Sequence, residues 1–338
     1  MLTRLIWEVT PPAFFCILPQ LAKLQGEVEV RLSLILGIDG GGSKTTAAVA
    51  RESTVVGTHT APGCNLNSVS LEQARASLTE AVQGALRQAN ATAEDVVCAC
   101  AGVAGAASPQ AADSISQMLT GLLPRADLQV VGDTLIALEA EFRGSAGVIC
   151  ISGTGSVAFG RNERGEIARA GGWGRFVSDE GSGHWIGQRA LFEVLQALDM
   201  GRSSALITAI MNHWRIATRE QLVQECNRDS VPNFSDLFPI VMDAQLKGDP
   251  LACEVLTAAG TRLARAAQIV LRRLWITHNP VEIALSGGVF ANCARIRQVF
   301  GNVVRSDRPE VKVRLSSQES YMGALHMARQ AMERKTLT

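Results

Sequence analysis

Three aspartates in this chain stand beside glycine-rich turns, where a carboxylate can hold a cation, take a proton or grip a hydroxyl. Asp39 ends the apolar run 34–39 and is followed by Gly40, Gly41, Gly42, Ser43, Lys44 and Thr45. Asp133 follows the run 128–131 and Gly132. Asp179 lies in a stretch that reads Gly171-Gly172-Trp173-Gly174 and then Ser178-Asp179-Glu180-Gly181-Ser182-Gly183. A further glycine–hydroxyl loop, Ser152-Gly153-Thr154-Gly155-Ser156, follows the run 147–151. Glycines let backbone N–H groups face an anion, and the hydroxyls add donors. Two such loops, about a hundred residues apart, suggest two related halves clamping one polyphosphate.

Each residue also has a plainer reading. Asp39 is either a hairpin turn residue or a carboxylate that holds Mg²⁺ through water beside nucleotide phosphates. Lys44 either touches phosphate or is an exposed strand charge. Asp133 caps a helix, or accepts the proton of a sugar hydroxyl that attacks a γ-phosphoryl group. The 171–183 stretch is a flexible lid, or a pocket in which Trp173 faces a sugar and Asp179 accepts its hydroxyl hydrogen bonds. Gly287-Gly288 is a simple strand-to-helix turn, or a close approach to a nucleotide's ribose and α-phosphate. The histidines, His184 among them, form no spaced metal set.

Hairpins must position the two loops. Strand 34–39 reverses into 46–50, and strand 148–151 into 157–160. That setting disfavours a P-loop, which opens a helix and would need Lys where Ser43 stands. After the first hairpin the pattern predicts strand 54–60, helix 70–89 opened by Ser70, strand 96–103, helix 110–122, strand 128–131 and helix 135–142. After the second come strand 166–170, helices 190–198 and 204–214, a long helix 250–277, strand 281–286, helix 292–300, strand 311–315 and helix 318–333. A three-strand meander followed by β-α units, twice over, predicts an α/β fold with mixed sheets.

Composition fits that class. The chain has 338 residues, 47% hydrophobic and 19% charged, which suits two domains with cores. Lys plus Arg and Asp plus Glu both total 32, so no global charge favours nucleic acid or an anionic membrane. The eight cysteines include no C-x-x-C pair and several lie in apolar runs, which reads as reduced, buried thiols in a cytoplasmic protein. No apolar run reaches the ~18 residues of a membrane helix. Residues 1–31, with Pro11, Pro12 and Pro19, read as a poorly ordered extension.

Together these motifs resemble the sugar-kinase/Hsp70/actin superfamily, and within it the N-acetylglucosamine kinase branch of the BadF/BadG-type ATPases. The resemblance implies two RNase-H-like (actin-like ATPase) domains, 32–145 and 146–317, with helix 318–333 returning to the first and an ATP and sugar cleft between them. It implies ATP contacts at Gly41, Gly42, Ser43, Lys44 and Thr45, at Gly153, Thr154, Gly155 and Ser156, and, for adenosine, at Ala259, Gly260, Gly287 and Gly288. It implies Asp133 as catalytic base, Mg²⁺ near Asp39, and an amino-sugar pocket of Asn65, Asp133, Gly172, Trp173 and Asp179. The expected activity is ATP-dependent phosphorylation of the 6-hydroxyl of N-acetylglucosamine or a related hexosamine by a homodimer. The other enzymatic reading is a BadF-type activator that couples ATP hydrolysis to a partner enzyme. No cysteine lies within 171–187 to support its iron–sulfur cluster. A sugar-sensing regulator would need a DNA-binding module, and residues 1–31 are too short and too poor in basic residues for one.

Overall fold

In the computed structural model, residues 33–106, 108–228, 232–275 and 280–336 are described; the expected extension 1–31 lies outside them. The chain builds two five-stranded mixed sheets of the same design. In the first, strands β1 (Leu34–Gly40), β2 (Lys44–Arg51) and β3 (Thr54–Pro62) form an antiparallel meander. Strands β4 (Val96–Val103) and β5 (Asp127–Val131) then add in parallel beyond β1. The second sheet repeats this with β6 (Gly147–Ser152), β7 (Ser156–Arg161), β8 (Ile167–Gly171), β9 (Glu282–Ser286) and β10 (Lys312–Leu315), β9 lying parallel to β6.

Successive side chains of a strand face opposite sides, and β1 is apolar on both. Leu34, Leu36 and Ile38 join the core under α1 (Leu71–Gln88) and α2 (Pro109–Leu122). Ile35 faces the other way, onto α3 (Asp133–Phe142) and the C-terminal α11 (Ser320–Thr336). Small residues allow that approach: a Cβ on Gly37 would lie 2.8 Å from Leu325 N, and one on Gly323 only 1.8 Å from Ile136 O.

Helix α3 is shared by both sheets. Ile136 buries against the first sheet, whereas Ala137 and Leu138 bury with Ile149, Phe159 and Ala284 of the second. Its Glu141 holds the point where the chain recrosses after β10: the carboxylate accepts Ser316 Oγ at 2.6 Å and the Ser317 and Gln318 N–H groups at 3.1 Å, and pairs with Arg314. Helix α3, which carries Asp133 at its N-terminus, thus packs between the two sheets along its length and is tied at its C-terminal end by Glu141.

The outer face of the second sheet is covered by α4 (Gly183–Asp199), α5 (Ala205–Trp214), α6 (Arg219–Cys226), α7 (Phe238–Leu246), the long α8 (Pro250–Leu274), the short α9 (Gly288–Asn292) and α10 (Ala294–Asp307). Helix α8 buries Ala252, Val255, Leu256, Ala259, Leu263, Ala267 and Val270, the stripe expected of a helix lying on a sheet. Helix α4 begins seven residues before its expected start at 190, because Ser182 Oγ caps it by accepting from Trp185 N. Gly187 then serves contact within the helix, since a Cβ there would lie 1.9 Å from Phe234 O. Helices α6 and α7 were not expected from the pattern; each buries only one to three side chains.

Candidate active site

Both glycine–hydroxyl loops are hairpin turns at the same end of equivalent strands. In the first, Asp39 pairs across β2 with Thr46 and lies beside Gly102 of β4. The turn closes with Gly41 N–H donating to Lys44 O at 2.9 Å. Residues 63–65 seat against it: Cys64 N–H donates to Gly41 O, and a Cβ on Gly63 would lie 2.2 Å from Gly42 O. This brings Asn65 to the first loop, 4.0 Å from where a Cβ on Gly42 would stand, with Asn65 Oδ1 accepting from Asn67 N–H at 3.0 Å.

The second loop is braced from behind by 180–183. Ser152 Oγ donates to Gly181 O and Ser156 Oγ to Glu180 O, both at 2.9 Å, and Gly183 N–H to Gly153 O at 2.8 Å. Gly287, with φ +95°, presses its backbone onto Ser152, where any Cβ would meet Ser152 O at 2.3 Å. The faces of Gly153 and Gly42 away from these braces are open. The loops meet directly: Ser43 Oγ and Thr154 Oγ1 are hydrogen-bonded at 2.9 Å across 111 residues of sequence.

Three carboxylates converge here. Burial, then the charge of Asp133, pushes the Asp39 carboxyl up to about 6, with Lys44 opposing the rise. Glu319, which the sequence reading did not pick out, adds to it. Burial also raises Asp133, whose Oδ1 accepts Thr134 N–H at 2.9 Å. Burial raises Asp179 as well; this residue is in the left-handed region at φ 57° and accepts Gly174 N–H at 3.2 Å. A Cβ on Gly155 would stand 2.7 Å from Asp179 Oδ2, so this carboxylate packs against the second loop.

Arg169 on β8 ties the set together and was missed from the sequence. Its charge opposes the rise of both Asp133 and Asp179. Its guanidinium donates to Gly171 O at 3.0 Å and to Gly172 O, and lies 4.6 Å from the centroid of Trp173. Trp173 is 69% exposed.

Ala259 and Gly260 lie on α8 (Pro250–Leu274). Both are buried, and Gly260 lets α10 approach, since its Cβ would stand 2.9 Å from Val299 Cβ. The opposite face of α8 is open. There Cys253, Thr257, Ala258, Thr261 and Arg262 line a recess of about 440 Å³ with Arg295, whose Nε donates to Thr257 Oγ1 at 3.1 Å. The recess adjoins the second loop's brace through the ion pair of Arg262 with Glu180 at 3.2 Å.

The site suits a magnesium–nucleotide pair by its donor chemistry. Mg²⁺ is bound by one or two carboxylates plus phosphate oxygens and waters, and Asp39 and Asp133 supply hard oxygen donors whose charges oppose one another. Among the described residues no group of three or more His, Cys, Asp or Glu forms a self-contained metal cage. None of the described helices is long and apolar enough to cross a membrane. The seven described cysteines are free thiols, five of them buried.

Two like-built mixed sheets closing on a cleft with paired phosphate-type loops define the actin-like ATPase fold. A solved structure of a candidate N-acetylglucosamine kinase from Chromobacterium violaceum has this fold, superposing with a TM-score of 0.70 at 23% identity over 87% of this chain and 98% of its own. The sequence pattern of the BadF/BadG/BcrA/BcrD ATPase family matches residues 36–326, and the chain belongs to that family. It is 31% identical over 302 residues to the N-acetylmuramic acid/N-acetylglucosamine kinase of Clostridium acetobutylicum, covering 88% of this chain and 99% of that protein. It is 26% identical to the N-acetyl-D-glucosamine kinase of Dictyostelium discoideum, covering 87% and 97%.

Proposed function

We propose that this protein is an ATP-dependent amino-sugar kinase that phosphorylates the 6-hydroxyl of an N-acetylhexosamine such as N-acetylglucosamine. The observation that carries this reading is the hydrogen bond between Ser43 and Thr154, which joins the two anion-ready loops, the first of which begins at Asp39, a carboxyl close enough to Asp133 to feel its charge. Residues 32–145 with 318–333, and residues 146–317, act as the two lobes. The polyphosphate lies against Gly41, Gly42, Ser43 and Thr45, and against Gly153, Thr154, Gly155 and Ser156, where the N–H groups not used to close the turns and the Ser43 and Thr154 hydroxyls donate to it, with Lys44 adding charge. The nucleoside lies past Gly287 and Gly288 along the exposed face of α8. Ala259 and Gly260 shape that wall from within.

Asn65, Gly172, Trp173 and Asp179 hold the sugar. Asp133 takes the proton of the 6-hydroxyl as that oxygen bonds to the γ-phosphorus. The bond from the γ-phosphorus to the β-bridging oxygen breaks, and ADP leaves. The raised affinity of Asp133 for a proton makes it a better acceptor than an exposed aspartate. Asp39 would hold Mg²⁺, which when bound would supply charge neutralisation at the phosphates. Arg169 orients Asp179 and offsets the charge of Asp133. The N-acetylhexosamine kinases among its relatives support this substrate class. The homodimer and a cytoplasmic location belong to the same reading.

A coupled ADP assay across a panel of amino sugars tests it. Sugar-dependent ADP release with formation of a sugar 6-phosphate is expected. Steady hydrolysis that ignores every hexosamine would replace this reading with that of an ATPase activator.

A further inference from the structure

Asp179 and Glu180 are neighbours in sequence, yet their carboxylates meet different parts of the molecule. Asp179 is buried, packs against Gly155 and accepts Gly174 N–H at 3.2 Å. Glu180 is exposed and reaches Arg262 on α8, its Oε1 lying 3.2 Å from the guanidinium Nη1. It stands between two left-handed residues, Asp179 at φ 57° and Gly181 at φ 81°. Gly181 lets the chain lie flush on α8, since a Cβ there would stand 2.5 Å from Leu263 Cγ and 2.8 Å from Ala259 O.

The brace on the second loop does not use the Glu180 side chain. Ser156 Oγ donates to the Glu180 carbonyl oxygen and Ser152 Oγ to that of Gly181. Nor does the ion pair do much for the fold: its side chains are 49% and 44% exposed, and pairs of that kind add little to stability. What it changes is the recess on α8, which Arg262 lines with Thr257, Thr261 and Arg295. Arg295 is held there by Thr257 Oγ1 and Arg262 by Glu180. An untethered arginine gives up rotamer freedom when a ligand orders it, and a held one has already given it up. Its planar guanidinium stacks on aromatic faces, and a nucleoside base presents one.

We propose that Glu180 is a positioning residue for the nucleotide: its carboxylate holds Arg262 in the recess, so that the guanidinium meets the base already ordered. This rests on the reading of the exposed face of α8 as the nucleoside wall. Glu180 then serves the nucleotide through Arg262, whereas Asp179, one residue earlier, serves the sugar.

The experiment measures dissociation constants for ADP and for inorganic pyrophosphate, each with Mg²⁺, by calorimetry. It uses the full chain, Glu180→Gln, Arg262→Met and the double variant. Ordering one long side chain is worth about 2–12-fold, so Glu180→Gln is expected to weaken ADP by about that factor. The double variant should bind ADP no more weakly than Arg262→Met, because Glu180 acts only through Arg262. Pyrophosphate, which has no base, should bind all four proteins within about twofold, and that constancy also reports that the variants fold. In turnover the KM for ATP should rise while kcat and the sugar KM hold. Unchanged ADP binding in Glu180→Gln, or additive losses in the double variant, would overturn the assignment. So would pyrophosphate weakened as much as ADP, which would mean that the pair acts on the second loop and not on the base. A parent that binds ADP and shows the expected pattern, yet phosphorylates no hexosamine, would remove the kinase reading and leave the role of Glu180 standing.

Discussion

Replacing Asp39 by Asn should make the unliganded protein more stable and the enzyme inactive. The Asp39 carboxyl is raised from 3.8 to about 6, first by burial and then by the charge of Asp133. Each unit is worth about 1.4 kcal/mol, so the ionised group costs the empty fold up to about 3 kcal/mol. Partial solvent access brings the expected figure to about 1.5–3 kcal/mol. Because the folded pKa is the higher one, the folded chain binds the extra proton between about pH 4 and 6. The stabilisation present below pH 4 is therefore lost as pH rises through 6. Asn carries no charge and escapes that loss. Thermal unfolding without nucleotide, with a chelator present, should show Asp39→Asn melting about 3–6 °C higher at pH 8. The gap should close toward pH 4. Phosphoryl transfer should fall by about 10²-fold or more, the scale of losing one group that organises transition-state charge. A variant less stable than its parent at pH 8, or a gap independent of pH, would contradict a destabilising charge at Asp39.

Asp133→Asn should lower kcat by about 10²–10⁴-fold while leaving the sugar KM within about threefold, as read by steady-state kinetics; full turnover would remove its role as base. The kcat/KM of the parent should decline as pH falls through about 6, where Asp39 becomes protonated, and a profile flat to pH 5 would contradict that. Gly323→Ala would place a Cβ 1.8 Å from Ile136 O. It should cost about 1–3 kcal/mol by lifting α11 from α3, seen as a lower melting temperature. Glu141 is buried, which alone would raise it, yet hydrogen bonds from Ser316 and Arg314 with the Arg314 charge hold it low. Its contribution is present at neutral pH and lost as pH falls below its ordinary value of 4.5. Glu141→Gln should therefore destabilise the protein at pH 7 and make little difference in acid, by denaturant unfolding at both pH values.

The two loops and Asp133 were legible because their signals are local. An apolar run, a glycine cluster and a hydroxyl or carboxylate within a few residues fix a strand, a turn and a donor or acceptor. The doubled meander followed from the same runs, which is why the fold class could be read. Arg169 was not legible, because its value lies in bringing Asp133 and Asp179 under one charge, and those residues meet only through tertiary structure. Glu141 and Glu319 are of the same kind. Gly187 shows the opposite error: a glycine that looks like a loop residue in sequence lies within α4 and serves close approach of Phe234. The weakly amphipathic α6 and α7 are held by neighbours rather than by pattern, so periodicity did not mark them.

Joining ATP to an amino sugar in one cleft is tested most directly by ADP release and sugar-phosphate formation by the purified full chain with ATP, Mg²⁺ and N-acetylglucosamine, measured together. One ADP per sugar 6-phosphate is expected, with little ADP when the sugar is omitted. ADP released at the same rate with and without sugar, and no phosphorylated sugar, would contradict it.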